Sequence, residues 1–182
     1  RQRVDGDRRG AAGLTVDGVP ANPHPAKVLN LSLGGDGTCS RSYQHAITEV
    51  IAAGAVVVVA AGNSAGKAVG SPANCDGVIA VAALRHAGTK VGYSDVGSEI
   101  AVAAPGGNCV NTGAAEPCLY PIVATTNSGA RGPEQAGYTD STNISVGTSF
   151  AAPLVAATAA LVASAGPSKS PADIRAAITG SA

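Results

Sequence analysis

Large aromatic side chains are almost missing from this sequence of 182 residues, which has no tryptophan, no methionine, one phenylalanine and four tyrosines. Hydrophobic residues nevertheless make up 45% of the chain. The core must therefore be built from alanine, valine, leucine and isoleucine, with 24 glycines allowing backbones to approach closely. This composition argues against a disordered chain and favours one tightly packed α/β domain.

Charged residues are also scarce, at 13%, and the 12 basic residues balance the 12 acidic ones. A nucleic-acid-binding face needs an excess of basic side chains, so we predict no nucleic-acid partner. The longest apolar runs, residues 51–62 and 151–166, are shorter than the roughly 18 residues that cross a membrane, so we predict no membrane partner. Residue 1 is an arginine in a charged segment with no signal-peptide pattern, so we expect a mature or truncated chain.

The four cysteines show no Cys-x-x-Cys spacing, which argues against a zinc site. Two disulfides and an oxidising, extracellular location fit an even cysteine count in this loop-rich chain. Three pairings are possible, and four buried free thiols are the alternative. Because Cys109 and Cys118 bracket a short loop, we pair them, which leaves Cys39 with Cys75.

Patterns of buried strands and helices alternate along the chain. Short apolar runs predict strands over residues 28–33, 55–60, 78–84 and 100–104. Helical spacing predicts a helix over residues 40–53, capped by Ser40 and stopped by Gly54, and later helices begin near Ser149 and Ser170. Strand, helix and strand in succession predict a parallel sheet covered on both faces.

The remaining segments are loops and a short strand pair. Residues 1–26 are predicted to be a helix end and a proline-rich loop, and residues 27–180 the core of a single partial domain. Residues 121–126 and 138–145 are predicted to form a hairpin-like antiparallel pair.

A serine stands where the longest apolar helix should begin, in the segment Gly147-Thr148-Ser149-Phe150-Ala151-Ala152-Pro153. The unpaired N–H groups and the positive dipole end of a helix N-terminus favour developing negative charge, which suits a serine nucleophile. The alternative is that Thr148 or Ser149 serves only as an N-cap.

Two further segments precede it. Asn30-Leu31-Ser32-Leu33-Gly34-Gly35 ends the first strand, and Val58-Val59-Ala60-Ala61-Gly62-Asn63-Ser64 ends the second. Asn63 follows a buried parallel strand, so it should lie at the carboxyl edge of the sheet, where α/β proteins place their sites.

Together, and in this order, the three segments resemble the subtilisin-like serine proteases. The resemblance covers residues 27–179 and implies a doubly wound, mostly parallel α/β sheet with flanking helices, whose N-terminal part is absent from this chain. It implies that Ser149 is the nucleophile in peptide-bond hydrolysis. It also implies that Asn63 and the backbone N–H of Ser149 form the oxyanion hole.

The same resemblance implies a substrate pocket. Its walls would be formed by Ser32, Leu33 and Gly34 and by Ala60, Ala61 and Gly62, with Gly70 at the base and Ser64 near the rim. No charge occurs among these residues, so we predict a preference for large apolar or aromatic side chains before the scissile bond. No cofactor is implied. Structural calcium is frequent in the family, but the sequence contains no carboxylate cluster that demands it, so no metal site is expected.

The base and its orienting carboxylate are missing from the pattern. In the family they belong to His-Gly-Thr-His and Asp-Ser/Thr-Gly motifs upstream of the serine, and neither motif occurs here. The histidines His24, His45 and His86 are predicted to be surface residues. We therefore expect a polypeptide-cleaving endopeptidase that needs Asp and His from a missing N-terminal part, and that has little activity alone. The alternative is a catalytically dead peptide-binding module or an inactive fragment.

Overall fold

A four-stranded sheet with helices on both faces organises the chain in the computed structural model, which describes residues 10–109, 120–139 and 145–182. The strands lie side by side in sequence order, and each neighbouring pair is parallel. They are β1 (Val28–Leu31), β2 (Val56–Ala60), β3 (Ile79–Leu84) and β4 (Ile100–Pro105). The mostly parallel α/β architecture predicted from the sequence is confirmed.

Strand β2 lies in the middle of the core and is buried along its whole length. Successive side chains of a strand point to opposite faces, so Val56 and Val58 belong to one apolar core and Val57 and Val59 to the other. A strand covered on both faces needs a continuous apolar run rather than an alternating one. This requirement explains the run of valines and alanines in the sequence.

Helix α1 (Arg41–Ala52) covers one face of the sheet. The Ser40 hydroxyl accepts a hydrogen bond from the Tyr43 N–H and so caps its first turn, as predicted. Ile47 and Val50 are the buried residues of this helix, which is amphipathic. After the C-cap the chain turns directly into β2, which completes the predicted β1-α1-β2 unit.

Helix α2 (Thr148–Ala165) packs on the opposite face and contacts all four strands of the sheet. Its buried face consists largely of alanine, which lets the helix lie close to the strands. With 18 residues and a mean hydropathy of 1.6, it is also the one helix among the described residues long and apolar enough to cross a membrane. The sequence prediction took the apolar run to begin at Ala151. The helix begins three residues earlier, at Thr148, and therefore reaches the length of a membrane-spanning helix. A central helix of a folded domain meets the same criterion.

Helix α3 (Pro171–Gly180) follows α2 and adds Ile174 and Ile178 to the same core. It begins with a capping box, in which the Ser170 hydroxyl accepts from the Asp173 N–H and the Asp173 carboxylate accepts from the Ser170 N–H. The Ser170 hydroxyl also donates to the Asp173 carboxylate at 2.7 Å, and this bond, followed by the bond from the Ser170 N–H, lowers the pKa of Asp173. The helix start predicted at Ser170 is confirmed.

A small antiparallel pair stands apart from the sheet. It is formed by β5 (Thr125–Asn127) and β6 (Ala136–Tyr138). The first predicted segment began at residue 121 and the second at residue 138, so the observed pair is shifted along the chain. Part of the second predicted segment, residues 140–144, lies outside the described residues.

A disulfide joins Cys39, just before α1, to Cys75 in the loop before β3. Cys109 is also disulfide-bonded, and its predicted partner Cys118 lies outside the described residues. Both sulfur atoms of the Cys39–Cys75 bond belong to the core beneath α1, so the bond fixes that helix to the loop that follows β2.

Removal of the Cys39–Cys75 disulfide should destabilise the domain. Its cysteines are 36 positions apart, and closing a loop of that length stabilises a fold by about 2–4 kcal/mol in the chain-entropy model. We expect the double variant Cys39→Ala/Cys75→Ala to lose that amount in the free energy of unfolding, measured by urea titration. A loss below about 1 kcal/mol would show that the bond contributes little to stability.

Candidate active site

The predicted site residues meet at the carboxyl edge of the parallel sheet. Ser32 follows β1 directly, Asn63 lies three residues after β2, and α2 begins beside them at Thr148. Because parallel strands end at the same edge, segments more than 80 residues apart in sequence come together there. Their meeting is shown by hydrogen bonds between Asn63 and Thr148 and between Ser32 and Ser149.

Ser149 is the second residue of α2, where backbone N–H groups have no partner within the helix. The N-cap is Gly147, with φ of +149°, a conformation that side chains rarely allow. Gly147 has no side chain to cap the helix, and the Thr148 N–H donates to Asn63 Oδ1 while the Phe150 N–H donates to the Gly147 carbonyl. Of these first three N–H groups, only that of Ser149 has no hydrogen-bond partner among the described residues, and it lies at the positive end of the helix dipole.

The side-chain amide of Asn63 is held in one orientation by Thr148. Its Oδ1 accepts from the Thr148 N–H at 2.9 Å and from the Thr148 hydroxyl at 3.0 Å. Because both partners donate, the oxygen must face Thr148, and the NH₂ group must face the other way. A Cβ on Gly147 would lie 3.3 Å from Asn63 Nδ2, so glycine there leaves room for the amide.

Ser32 joins the end of β1 to the beginning of α2. Its hydroxyl donates to the Ser149 carbonyl at 2.8 Å and accepts from Asn30 Nδ2 at 3.0 Å. In a regular helix the Ser149 carbonyl would accept from residue 153, but Pro153 has no N–H. The Ser32 hydroxyl takes the place of that missing donor. Strand β1 ends at Leu31, directly before Ser32 and two residues before the predicted limit.

Tyr93 supports the loop before α2 and was not singled out in the sequence. Its hydroxyl donates to the Gly106 carbonyl at 2.6 Å and accepts from the Gly147 N–H at 3.1 Å. Burial raises the pKa of Tyr93 to about 12, and the hydrogen bond from Gly147 acts in the opposite direction. The hydroxyl therefore stays protonated at neutral pH and can bridge both backbone groups.

A cavity of about 290 Å³ opens beside Ser149. The structure places Gly34, Ala60, Gly62, Asn63 and Ser149 around it, together with the other predicted wall and base residues Leu33, Ala61, Ser64 and Gly70. Ser32, predicted as a wall residue, is not part of this lining but is in contact with Ser149. A Cβ on Gly70 would collide with the Gly35 carbonyl oxygen, so glycine at the base allows the two wall loops to meet.

The prediction that no charge lines this cavity is wrong. Asp36 and Asp95 both belong to its lining. Asp36 follows the Gly34-Gly35 turn, two residues beyond the predicted wall, and Asp95 comes from the loop between β3 and β4, which contained no recognised motif. Asp95 lies directly against Gly62, as shown by the collision that a Cβ on Gly62 would make with Asp95 Oδ2. Loop packing, and not local sequence, brings these carboxylates to the cavity.

All three histidines lie in the described part of the chain, and none of them lines the cavity. His24 is exposed in the proline-rich loop, and His45 Nε2 is 3.6 Å from Glu49 Oε2 on the exposed side of α1. His86 stacks on Tyr120 with ring centroids 3.7 Å apart. The predicted surface positions are confirmed, so these histidines cannot accept a proton from Ser149.

Among the residues that the structure describes, no group of three or more His, Cys, Asp or Glu side chains is placed to hold a metal ion. Besides the carboxylates of Asp36 and Asp95, the site contains two hydrogen-bond donors. They are the NH₂ group of Asn63 and the backbone N–H of Ser149, which has no hydrogen-bond partner among the described residues. Such donors stabilise a developing oxyanion.

The family to which this chain belongs is shown by comparison with family models. The model of the Subtilase family (Peptidase_S8) matches residues 2–182. The chain belongs to the subtilase family. A protein named extracellular protease from Xanthomonas campestris pv. campestris is 47% identical over 158 residues, which cover 86% of this chain and 24% of that protein. The extracellular basic protease of Dichelobacter nodosus is 38% identical over 85% of this chain and 23% of its own length.

Solved structures give the same result. A structure titled as proteases from Pseudoalteromonas arctica PAMC 21717 matches with a TM-score of 0.85 and 41% identity, over 95% of this chain and 49% of that one. This chain therefore spans about half of that solved chain and about a quarter of the length of the Xanthomonas and Dichelobacter proteins. The predicted subtilisin-like family and fold are confirmed.

Proposed function

We propose that this chain carries the nucleophile, the oxyanion donors and one substrate wall of a secreted serine endopeptidase of subtilisin type. Ser149 Oγ attacks the carbonyl carbon of a peptide bond, and its proton passes through a general base to the leaving amine. Water then hydrolyses the acyl ester and restores the hydroxyl. The reaction requires no cofactor. The names of the Xanthomonas and Dichelobacter relatives support both proteolysis and an extracellular location.

The orientation of the Asn63 amide is the observation that carries this proposal. Oδ1 is fixed by two donors from Thr148, so the NH₂ group is held on the opposite side of the amide before any substrate binds, and we propose that it donates to the oxyanion formed beside Ser149. A donor that needs no reorganisation during the reaction stabilises an oxyanion most effectively. The backbone N–H of Ser149 is the second donor.

Extended peptides are the proposed substrates. Residues 32–34 follow β1 at the edge of the four-stranded sheet, and Leu33 and Gly34 are exposed beside the cavity. A substrate backbone can pair with such an edge, while the side chain before the scissile bond enters the cavity. The second wall, residues 60–62, closes the cavity from the β2 side.

In this proposal the general base comes from outside this chain, because none of its three histidines lines the cavity. We propose that a segment upstream in the complete catalytic domain supplies His and Asp. Without them the serine hydroxyl keeps its proton, and only the oxyanion donors remain. In subtilisin itself the catalysis left after loss of triad members is about 10³–10⁴-fold over water, and we carry that value over.

Labelling with a fluorophosphonate tests the proposal. The reagent is added to the chain alone and to the chain joined to an upstream segment that supplies His and Asp. We expect phosphonylation at Ser149 in the joined protein, at least about 10³-fold faster than in the chain alone, because only the joined protein can deprotonate the hydroxyl. Mass spectrometry identifies the labelled residue.

The variant Ser149→Ala serves as the control and should take up no label in either form. No labelling of the joined protein would contradict the proposal and favour a non-catalytic peptide-binding module. Equal labelling rates of the two forms would contradict the need for an upstream base.

A further inference from the structure

Asp95 is the most unusual charged residue of the cavity, because its side chain is only 3% exposed. Its Oδ1 accepts from the backbone N–H groups of Ser64, at 2.8 Å, and of Lys67, at 3.1 Å. Its Oδ2 lies against Gly62 and has no hydrogen-bond or ion-pair partner among the described residues. Half of a buried carboxylate is therefore unpaired within the cavity lining.

No cation of this chain compensates that charge in the described residues. The ammonium group of Lys90 lies in the same β3–β4 loop as Asp95 but is engaged elsewhere. It donates to the carbonyls of Val91, at 3.0 Å, and Ser94, at 3.1 Å. No lysine or arginine is part of the cavity lining. A cation that enters the cavity can therefore pair with this carboxylate through a charge-assisted hydrogen bond.

Asp36 adds a second negative charge to the same cavity. It follows the wall segment of residues 32–34. Its backbone lies over Gly70, since a Cβ on Gly70 would be 3.4 Å from the Asp36 Cα. The side chain is exposed and forms no ion pair with a described residue. Two carboxylates and no cation in one cavity attract a positive group and concentrate it there.

We propose that the cavity beside Ser149 takes the long basic side chain of a lysine or arginine before the scissile bond, with Asp95 as the specificity-determining residue and Asp36 as a second attraction at the rim. This inference rests on the proposed proteolytic function and names its substrate class. A guanidinium or ammonium group pairs with the free Oδ2 of Asp95, while the alkyl stem packs between the walls. The cavity, at about 290 Å³, has room for one such side chain.

The binding of p-aminobenzamidine, a fluorescent cation shaped like an arginine head group, tests the cavity without any catalysis. We expect saturable fluorescence with this chain and an at least about tenfold weaker affinity in Asp95→Asn, because the neutral amide cannot pair with an amidinium. Asp36→Asn should weaken binding less, by about two- to fivefold, with stronger dependence on salt.

The variant Asp17→Asn is the matched control, because Asp17 is an exposed acid outside the cavity lining, and its affinity should equal that of the unaltered chain. An asparagine at position 95 keeps the acceptor for Ser64 and Lys67, so the loop should keep its structure. Absent binding, or equal affinity in the unaltered chain and Asp95→Asn, would overturn the proposal.

The second measurement uses the joined, active protein and peptide p-nitroanilides that end in Lys, Arg, Phe or Leu. We expect kcat/KM for Lys and Arg to exceed that for Phe and Leu by at least about tenfold, and Asp95→Asn to remove most of that difference while leaving Phe within about threefold. Preference for Phe or Leu, or an equal loss for all four substrates, would overturn the specificity proposal, whereas the proposal of peptide hydrolysis would still hold.

If no substrate is cleaved and Ser149 is not labelled, the proteolytic proposal fails. The binding of p-aminobenzamidine then tests by itself whether the cavity takes a cation.

Discussion

Replacement of Ser149 by alanine should lower kcat of the joined, active protein by about 10⁶-fold, the magnitude measured for loss of the serine in subtilisin itself and carried over from that enzyme. Without the hydroxyl no acyl ester can form, and water has to attack the peptide bond directly. The remaining rate would come from the oxyanion donors and from substrate binding. Steady-state and single-turnover assays with a peptide p-nitroanilide measure the loss.

This variant should fold normally, because the Ser149 side chain contributes little to the structure. Its Oγ makes one contact, at 3.4 Å to the Ser32 carbonyl, which is longer than an ordinary O–H···O hydrogen bond. The stronger bond, from the Ser32 hydroxyl to the Ser149 carbonyl, uses the backbone and survives the substitution. We expect the free energy of unfolding to change by less than about 1 kcal/mol.

Ser164→Ala makes the same substitution at an exposed position of the same helix and should keep full activity. A Ser149→Ala variant that retains more than about one part in 10³ of kcat would contradict the assignment of Ser149 as the nucleophile.

Replacement of Asn63 by aspartate should lower kcat by about 10²–10³-fold, the loss measured in subtilisin when its own asparagine donor is removed. The carboxylate still accepts from the Thr148 N–H and hydroxyl, so the start of α2 keeps its hydrogen bonds. The NH₂ group is lost, and a negative charge faces the developing oxyanion. Because the donor acts mainly in the transition state, kcat should fall while KM stays within a few-fold.

Asn127→Asp is the matched control, because Asn127 also uses Oδ1 to accept from two backbone N–H groups, those of Gly129 and Glu134. It lies at the end of β5, outside the cavity lining, and its substitution should leave kcat unchanged. A loss below about tenfold in Asn63→Asp would contradict the role of Asn63 as an oxyanion donor.

The buried strands could be read from the sequence because their signal is local. Strand β2 is a run of valines, and a strand buried on both faces needs such a run whatever surrounds it. The cap at Ser40 and the capping box at Ser170 are local in the same way, since each depends on residues within one turn of the helix.

The ends of elements were less well predicted where tertiary contacts decide them. The apolar pattern carried β1 to Leu33, but the strand stops at Leu31, and the next residue, Ser32, bonds to the Ser149 carbonyl 117 positions away. That carbonyl is free only because Pro153 lacks an N–H, 121 positions farther along the chain than Ser32. No local pattern at residues 28–33 contains this information.

The sequence by itself determined the fold class and the family and predicted Ser149 and Asn63 as site residues, because strand periodicity and short motifs are encoded in contiguous residues. It also showed that no histidine stands in a catalytic motif. Only the tertiary structure decided that Asn63 Oδ1 faces Thr148, and that Asp36 and Asp95 line the cavity. Those features depend on loops that meet at one edge of the sheet from distant parts of the chain, so the physical cause is packing across the fold and not local propensity.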